Sequence, residues 1–167
     1  MHSDDFFAHD EVLTNVARKL NESGADGVYA DLDYVSCDNP NRTVRKWVSG
    51  NYSPKKLSVG WMPPHPTVYL KKEVFEKFGL YNTDLKIAAD YDAMLRYLSN
   101  GVTLAYLNEV TVKMRTGGES NMSIKNVIRK SSEDYNALRR NEVGGMAALI
   151  LKNLSKVGQL TKAIPAN

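Results

Sequence analysis

Carboxylates at two places in this sequence could serve a reaction on a phosphorylated substrate. Asp4 and Asp5 are adjacent and stand directly before an apolar segment, while Asp90 stands where a helical pattern begins. Oxygen ligands of this kind suit Mg2+ or Mn2+, which bridge one or two protein carboxylates to substrate phosphates. A carboxylate with apolar flanks can have a raised pKa and then act as a general base toward a hydroxyl group. Both places also have a structural explanation, because acidic residues favour helix starts and Asp is a common N-cap.

A loop near residue 117 could bind a phosphate group. Arg115 is followed by Gly117 and Gly118, so a guanidinium stands beside a flexible backbone. This combination suits a mobile loop that clamps a phosphate, although an ordinary polar turn would have the same composition.

An aromatic and histidine-containing segment could contact a sugar. His65 stands between two prolines, which would fix its position for holding a hydroxyl group. Trp61, with Trp47 and Tyr52, could stack on sugar faces. A structural histidine and aromatic packing within the domain remain open as alternatives.

The elements that must position these residues follow from hydrophobic spacing. Asp10 is the expected N-cap of a helix that ends at residues 21–24, and a period of two over residues 27–35 predicts a strand with Asp31 and Asp33 on one face. The prolines of residues 61–67 exclude a helix there and predict a rigid loop. Further strands are expected at 45–48, 67–70, 103–107 and 110–114, and further helices at 73–78, 90–98 and from about 122 onward.

The composition is that of one ordinary globular domain with a tail. The chain has 167 residues, of which 43% are hydrophobic and 25% charged. Cys37 is the only cysteine, which excludes an internal disulfide and a Cys-rich zinc site and fits a reducing compartment. The N-terminus has no secretory pattern and no stretch approaches the roughly 20 apolar residues of a membrane span. These features predict a cytoplasmic protein.

Charge is distributed unevenly along the chain. From Ile124 onward eight Lys and Arg residues face three acidic ones, a net charge of +5, so the total of +3 leaves −2 for the preceding part. An acidic body argues against nucleic-acid binding, whereas a basic tail is compatible with an anionic membrane surface. A helical stripe over residues 146–159 could lie in a membrane interface or pack on the domain itself.

Six segments, taken in order, resemble the second half of the family 2 glycosyltransferases, bacterial enzymes that build cell-surface polysaccharides. The resemblance covers roughly residues 1–140. The segments are residues 2–7 (HSDDFF), 27–34 (GVYADLDY), 65–75 (HPTVYLKKEVF), 78–81 (FGLY), 88–92 (AADYD) and 114–118 (MRTGG).

The resemblance implies an α/β GT-A fold, present here as an α+β portion with a mixed sheet flanked by helices and a helical C-terminal tail. It also implies inverting transfer from a nucleotide-diphosphate sugar to a saccharide or lipid-linked saccharide acceptor, with Mg2+ or Mn2+ as cofactor. Residues 1–122 would form the acceptor-side portion and residues 123–167 the basic tail. By the same resemblance, Asp5 and Asp4 would hold the metal, and Asp90 would be the catalytic base. Arg115, Gly117 and Gly118 would face the donor diphosphate, with His65 and Trp61 on the acceptor side.

One departure from the family pattern bears on activity. In the family a nucleotide-binding half precedes the metal-binding segment, whereas here that segment begins at residue 2. We therefore expect a truncated chain that is weak or inactive alone and could pair with a second copy. A non-catalytic binding or assembly module, peripheral to the inner face of the cytoplasmic membrane, is the alternative, and an unrelated small α+β protein is a third.

Overall fold

The computed structural model describes residues 5–116 and 124–151. Within these residues the chain has a mixed α+β fold in which a mixed sheet is flanked by helices, as the sequence predicted. The strands are β1 (Asp5–Phe7), β2 (Gly27–Ser36), β3 (Thr43–Trp47), β4 (Tyr69–Leu70) and β5 (Leu104–Thr116). The helices are α1 (Val12–Ser23), α2 (Lys72–Phe78), α3 (Ala89–Ser99) and α4 (Ile124–Arg140), with 3-10 turns at Pro54–Val59 and His65–Thr67.

The described sheet is built around the parallel pair β2 and β5. The strand order is β1-β5-β2-β3, with β4 also paired to β2, and β1, β3 and β4 run antiparallel to their neighbours. Gly27 begins β2 where β4 comes closest, because a Cβ atom there would lie 2.7 Å from the carbonyl oxygen of Tyr69. A side chain at this position would therefore push β4 away from the sheet.

The two acidic residues of β2 are buried and hydrogen-bonded. Asp31 accepts hydrogen bonds from the backbone N–H of Ser49 and the hydroxyl of Tyr106, each at 2.8 Å. Asp33 accepts one from the Thr43 hydroxyl at 3.1 Å. Both carboxylates are therefore structural: Asp33 joins β2 to β3, and Asp31 joins β2 to Ser49 and to β5.

Three apolar clusters attach the helices to the rest of the fold. Val12 and Val16 of α1 pack on Val28 of β2. Helix α3 packs against α2 with one set of side chains and against α4 with another, so α3 is held between two other helices. The described residues include no helix long and apolar enough to cross a membrane.

Two sequence-based expectations about element boundaries were wrong. Helix α1 has Glu11 rather than Asp10 as its N-cap, without a side-chain cap, because the turn after β1 delays the helix by one residue. The strands expected at 103–107 and 110–114 are one strand, β5, whose pairing with β2 shifts register between Leu107 and Val110. A β-bulge accommodates the polar residues between them without ending the strand.

The proline-rich segment forms a short helical turn, and the C-terminal region is described only in part. Residues 65–67 form a 3-10 turn rather than a simple loop, since Pro66 stands in the first turn, where its missing N–H is tolerated. The helix expected at 146–159 is described only for residues 146–151. The remainder of that helix and the expected domain boundary at residue 122 lie outside the described residues.

Candidate active site

His65 and Asp90 form the central pair of the candidate site. The Nδ1 atom of His65 lies 3.0 Å from Oδ2 of Asp90, and the side chains are 35% and 32% exposed. His65 comes from the 3-10 turn before β4 and Asp90 from the first turn of α3. The sequence predicted separate roles for these residues, and the structure brings them into direct contact.

The position of His65 depends on Thr67, which is fully buried. The Thr67 hydroxyl lies 2.8 Å from the carbonyl oxygen of Pro64 and 3.0 Å from that of Ala30, and accepts the Ala30 N–H at 3.2 Å. Since Ala30 belongs to β2, this one hydroxyl attaches the proline turn to the centre of the sheet.

The position of Asp90 depends on a residue from another helix. The N-cap of α3 is Ala88, which has no side chain able to cap, so the suggestion that Asp90 is the N-cap was wrong. Glu133 of α4 supplies the cap, accepting hydrogen bonds from the backbone N–H of Ile87 at 2.9 Å and of Ala88 at 3.0 Å. Burial alone would raise the pKa of Glu133, but these N–H groups lower it below its ordinary value of 4.5.

The expectation of a raised pKa for Asp90 was also wrong. Burial does act to raise the pKa of Asp90, but the hydrogen bond and charge of His65 oppose it, aided by the Tyr91 backbone N–H and the charge of Lys130. The net effect lowers this pKa below its ordinary value of 3.8. Asp90 is therefore ionised at neutral pH and able to accept a hydrogen bond from a hydroxyl group.

The His65–Asp90 pair forms a wall shared by two clefts. The first, here called the tryptophan cleft, has a volume of about 540 Å³, and its lining includes Trp47, Lys56, Trp61 and Lys130. The second, here called the β1 cleft, has a volume of about 640 Å³, and its lining includes Phe7, Tyr69, Tyr81 and Lys86. Both linings include His65 and Asp90, so these two side chains could contact a ligand in either cleft.

Trp61 combines a packing role with a place in the tryptophan cleft. Its ring stacks on Tyr52 with centroids 5.1 Å apart and meets the edge of Tyr29 at 5.7 Å. Its indole N–H donates to the Ser49 carbonyl oxygen at 3.4 Å. Aromatic packing therefore fixes the ring, and Trp61 still lines the cleft.

The metal-binding expectation can be examined only for Asp5, because Asp4 lies outside the described residues. Asp5 is 8% exposed in β1 and pairs with Met114 of β5. Residues two apart on a strand point to the same face, so Asp5 shares the face of Phe7, which lines the β1 cleft. Among the described residues no three His, Cys, Asp or Glu side chains converge. A cation held by one or two carboxylates and a substrate phosphate needs no such group, so the metal-binding role of Asp5 stays a prediction.

Arg115 lies on the opposite face of the sheet from Asp5. Its guanidinium carbon is 5.1 Å from the centre of the Phe6 ring, a cation–π contact. Gly117 and Gly118 lie outside the described residues. Arg115 is therefore not on the face of Asp5 and Phe7, where we expect the metal.

Three residues of the site were missed by sequence reasoning, namely Lys56, Lys130 and Glu133. In α4, Lys130 and Glu133 each have a partner four residues away, Asp134 at 3.5 Å and Arg129 at 3.3 Å. That spacing alone predicts ordinary ion pairs on a helix surface. It contains no signal for the contact of Glu133 with residues 86–88, because that contact depends on how α4 packs against α3.

Neither comparison with protein-family models nor a search of curated proteins gives a match for this chain.

Proposed function

We propose that this chain carries the acceptor side of a GT-A glycosyltransferase of the family 2 type. The reaction would be inverting transfer of a sugar from a nucleotide-diphosphate donor to an acceptor hydroxyl in cell-surface polysaccharide synthesis. The observation that carries the proposal is the His65–Asp90 pair in the wall between two clefts. A reaction that joins two bound substrates needs its proton acceptor at the border between them.

In this proposal Asp90 accepts the proton of the acceptor hydroxyl and His65 orients the carboxylate. The lowered pKa of Asp90 keeps it ionised at neutral pH, as the role requires, and makes it a weaker base than a carboxylate of ordinary pKa. The tryptophan cleft would take the acceptor, since aromatic rings suit the apolar faces of sugars. The β1 cleft would take the donor, since β1 carries Asp5 on the same face as Phe7.

Asp5, with Asp4, would hold Mg2+ or Mn2+. The cation, when bound, offsets negative charge on the departing diphosphate. The resemblance also assigns Arg115, Gly117 and Gly118 to the donor diphosphate, but Arg115 belongs to β5 and lies on the opposite face from Asp5, so we assign it no contact with the cation. We further propose a cytoplasmic location, with the basic residues 123–167 contacting the inner face of the membrane.

The alternative is a non-catalytic module that uses the same clefts for binding or assembly. The six segments that resemble family 2 glycosyltransferases are compatible with either function, transfer or binding. The transferase is favoured because a His-oriented carboxylate between two clefts serves proton transfer, whereas binding alone needs no such pair.

Thermal unfolding and turnover test the proposal together. Mn2+ plus UDP should raise the unfolding midpoint of the chain, and Asp5→Ala should abolish the rise. Asp90→Asn should keep the rise but reduce transfer from a UDP-sugar by about 100-fold or more, since general base catalysis contributes about 10²–10⁴. Asp84→Asn, an exposed loop position, is the matched control. Transfer unaffected by Asp90→Asn would refute the assigned base, and ligand binding without transfer under any condition would favour the binding module.

A further inference from the structure

The tryptophan cleft contains two cations to which the proposed transfer assigns no ligand. Lys56 enters it from the 3-10 turn at Pro54–Val59, and Lys130 enters it from α4. These two elements are far apart in sequence and meet only through the fold. The cleft therefore holds two ammonium groups that belong to separate elements.

Both ammonium groups keep donors available for a ligand. The Nζ atom of Lys56 donates to the carbonyl oxygen of Asn51 and lies 5.8 Å from the centre of the Trp61 ring. The Nζ atom of Lys130 lies 3.5 Å from Asp134, and its side chain is 41% exposed. An ammonium group has three donors, so one partner each leaves capacity for an additional anion.

The anionic charge of the cleft lining is smaller than its cationic charge. Asp90 is the one carboxylate among the described lining residues, and it is paired with His65. With a neutral sugar, the two ammonium groups would keep only the Asn51 carbonyl oxygen and the Asp134 carboxylate as partners among the described residues. A carboxylate or phosphate on the ligand would form charge-assisted hydrogen bonds with these ammonium groups.

The remaining lining residues suit a sugar ring beside that anionic group. Trp47, Val59 and Trp61 supply an apolar and aromatic surface, and the Trp61 ring is held in place by Tyr52. Charge complementarity and aromatic surface thus occur within one cleft. An inorganic anion would use only the first of these features.

We propose that the tryptophan cleft binds a saccharide that carries a carboxylate or phosphate group, with Lys56 and Lys130 recognising the anion. The proposal rests on the proposed function where it makes this saccharide the acceptor. The binding itself does not depend on transfer.

Intrinsic fluorescence gives a direct binding assay. The chain has two tryptophans, Trp47 and Trp61, and both line this cleft. Methyl glucuronide and glucose 1-phosphate serve as anionic probes, and methyl glucoside serves as the neutral match. We expect a saturable fluorescence change with at least one anionic sugar at an affinity at least about tenfold above that for methyl glucoside. A response to glucuronide alone assigns a carboxylate, and a response to glucose 1-phosphate alone assigns a phosphate.

A double variant, Lys56→Gln with Lys130→Gln, tests the two cations. It should weaken binding of the anionic sugar by about tenfold or more, since it removes the charge-assisted hydrogen bonds to the anion. The control is Lys55→Gln with Lys72→Gln, which removes the same charge at exposed positions, one of them next to Lys56. Equal affinity for methyl glucoside, equal affinity for inorganic phosphate without sugar, or equal effects of the two double variants would overturn the proposal.

Binding and transfer measured side by side separate this proposal from the proposed function. If anionic sugars bind with lysine dependence and no transfer is found, the cleft assignment stands and the transferase assignment fails. If transfer proceeds to a neutral acceptor and ignores the lysine variants, the transferase stands and the anionic specificity fails.

Discussion

The carboxylate of Glu133 lies 3.0 Å from the backbone nitrogen of Ala88, so helix α4 caps helix α3. The same carboxylate accepts the Ile87 N–H at 2.9 Å. Asp90 follows two residues after Ala88, in the first turn of α3. The position of the Asp90 carboxylate therefore depends on how α4 packs.

Replacement of Glu133 tests this cap. Glu133→Ala should reduce the free energy of unfolding by about 1–2 kcal/mol, in the range found for lost helix caps, and Glu133→Gln, which keeps an acceptor oxygen, should have a smaller effect. Urea unfolding at pH 7 measures the change. The control is Glu76→Ala, because the Glu76–Lys72 pair on α2 is exposed and should contribute no more than about 0.5 kcal/mol. Equal losses for the two alanine variants would contradict the capping role.

The same cap gives a defined pH dependence. Folding lowers the pKa of Glu133 below its ordinary 4.5, so its stabilisation is fully present above that value and is lost as pH falls through the lowered pKa. The stability difference between the wild-type chain and Glu133→Gln should therefore shrink in acid. Unfolding curves collected from pH 7 downward test this, and a difference that grows in acid would contradict it.

His65 should control the ionisation of Asp90. In His65→Ala the hydrogen bond and charge that lower the pKa of Asp90 are lost while burial still raises it, so this pKa should increase. Carbon-detected NMR titration of the Asp90 carboxylate measures the change. His9→Ala is the control, because His9 pairs with Glu109, 3.4 Å away, instead of Asp90. An unchanged Asp90 pKa in His65→Ala would show that the contact has no electrostatic consequence.

Local sequence patterns were sufficient for most of the fold. The alternation of residues 27–35 identified β2, and the apolar stripe starting at Val12 identified α1. The division of β5 into two strands failed because a β-bulge keeps the ladder intact across a polar dipeptide, and only pairing with β2 reveals that.

The sequence identified candidate residues for the site but did not predict which of them lie in contact. The chemistry of His65 and Asp90 is readable from their types and flanks, yet their contact at 3.0 Å joins positions 25 residues apart. The direction of the Asp90 pKa shift depends on that contact, which the residues flanking Asp90 do not reveal. Glu133 and Lys130 join the site through the packing of α4, for which no local signal exists.

Asp92 should be essential for stability rather than for catalysis. Its carboxylate is 1% exposed and lies 3.1 Å from Arg96 and 3.4 Å from Arg140. Asp92→Ala would remove the buried partner of these two partly exposed cations and should lower the free energy of unfolding by about 1–3 kcal/mol. Urea unfolding with an unchanged m-value checks this, with the exposed Asp84→Ala as control. A loss below about 1 kcal/mol would contradict the buried pairing.

Thr67 should connect stability to the geometry of the site. Thr67→Val keeps the volume but removes the hydroxyl that joins Pro64 to Ala30, so it should cost about 1–3 kcal/mol in unfolding free energy for buried polar groups left unpaired. Thr67→Ser keeps the hydroxyl and loses one methyl group, about 0.8 kcal/mol, and is the matched control.

The pKa of Asp90 is the second quantity to measure in these variants, because it reports the position of His65. Because the turn at His65–Thr67 is attached to β2 through the Thr67 hydroxyl, Thr67→Val should loosen the contact of His65 with Asp90 and raise the pKa of Asp90 toward its value in His65→Ala. Thr67→Ser should leave the Asp90 titration close to that of the wild-type chain. If Thr67→Val destabilises the fold while the Asp90 titration stays unchanged, the hydroxyl contributes to stability alone and other contacts hold His65 in place.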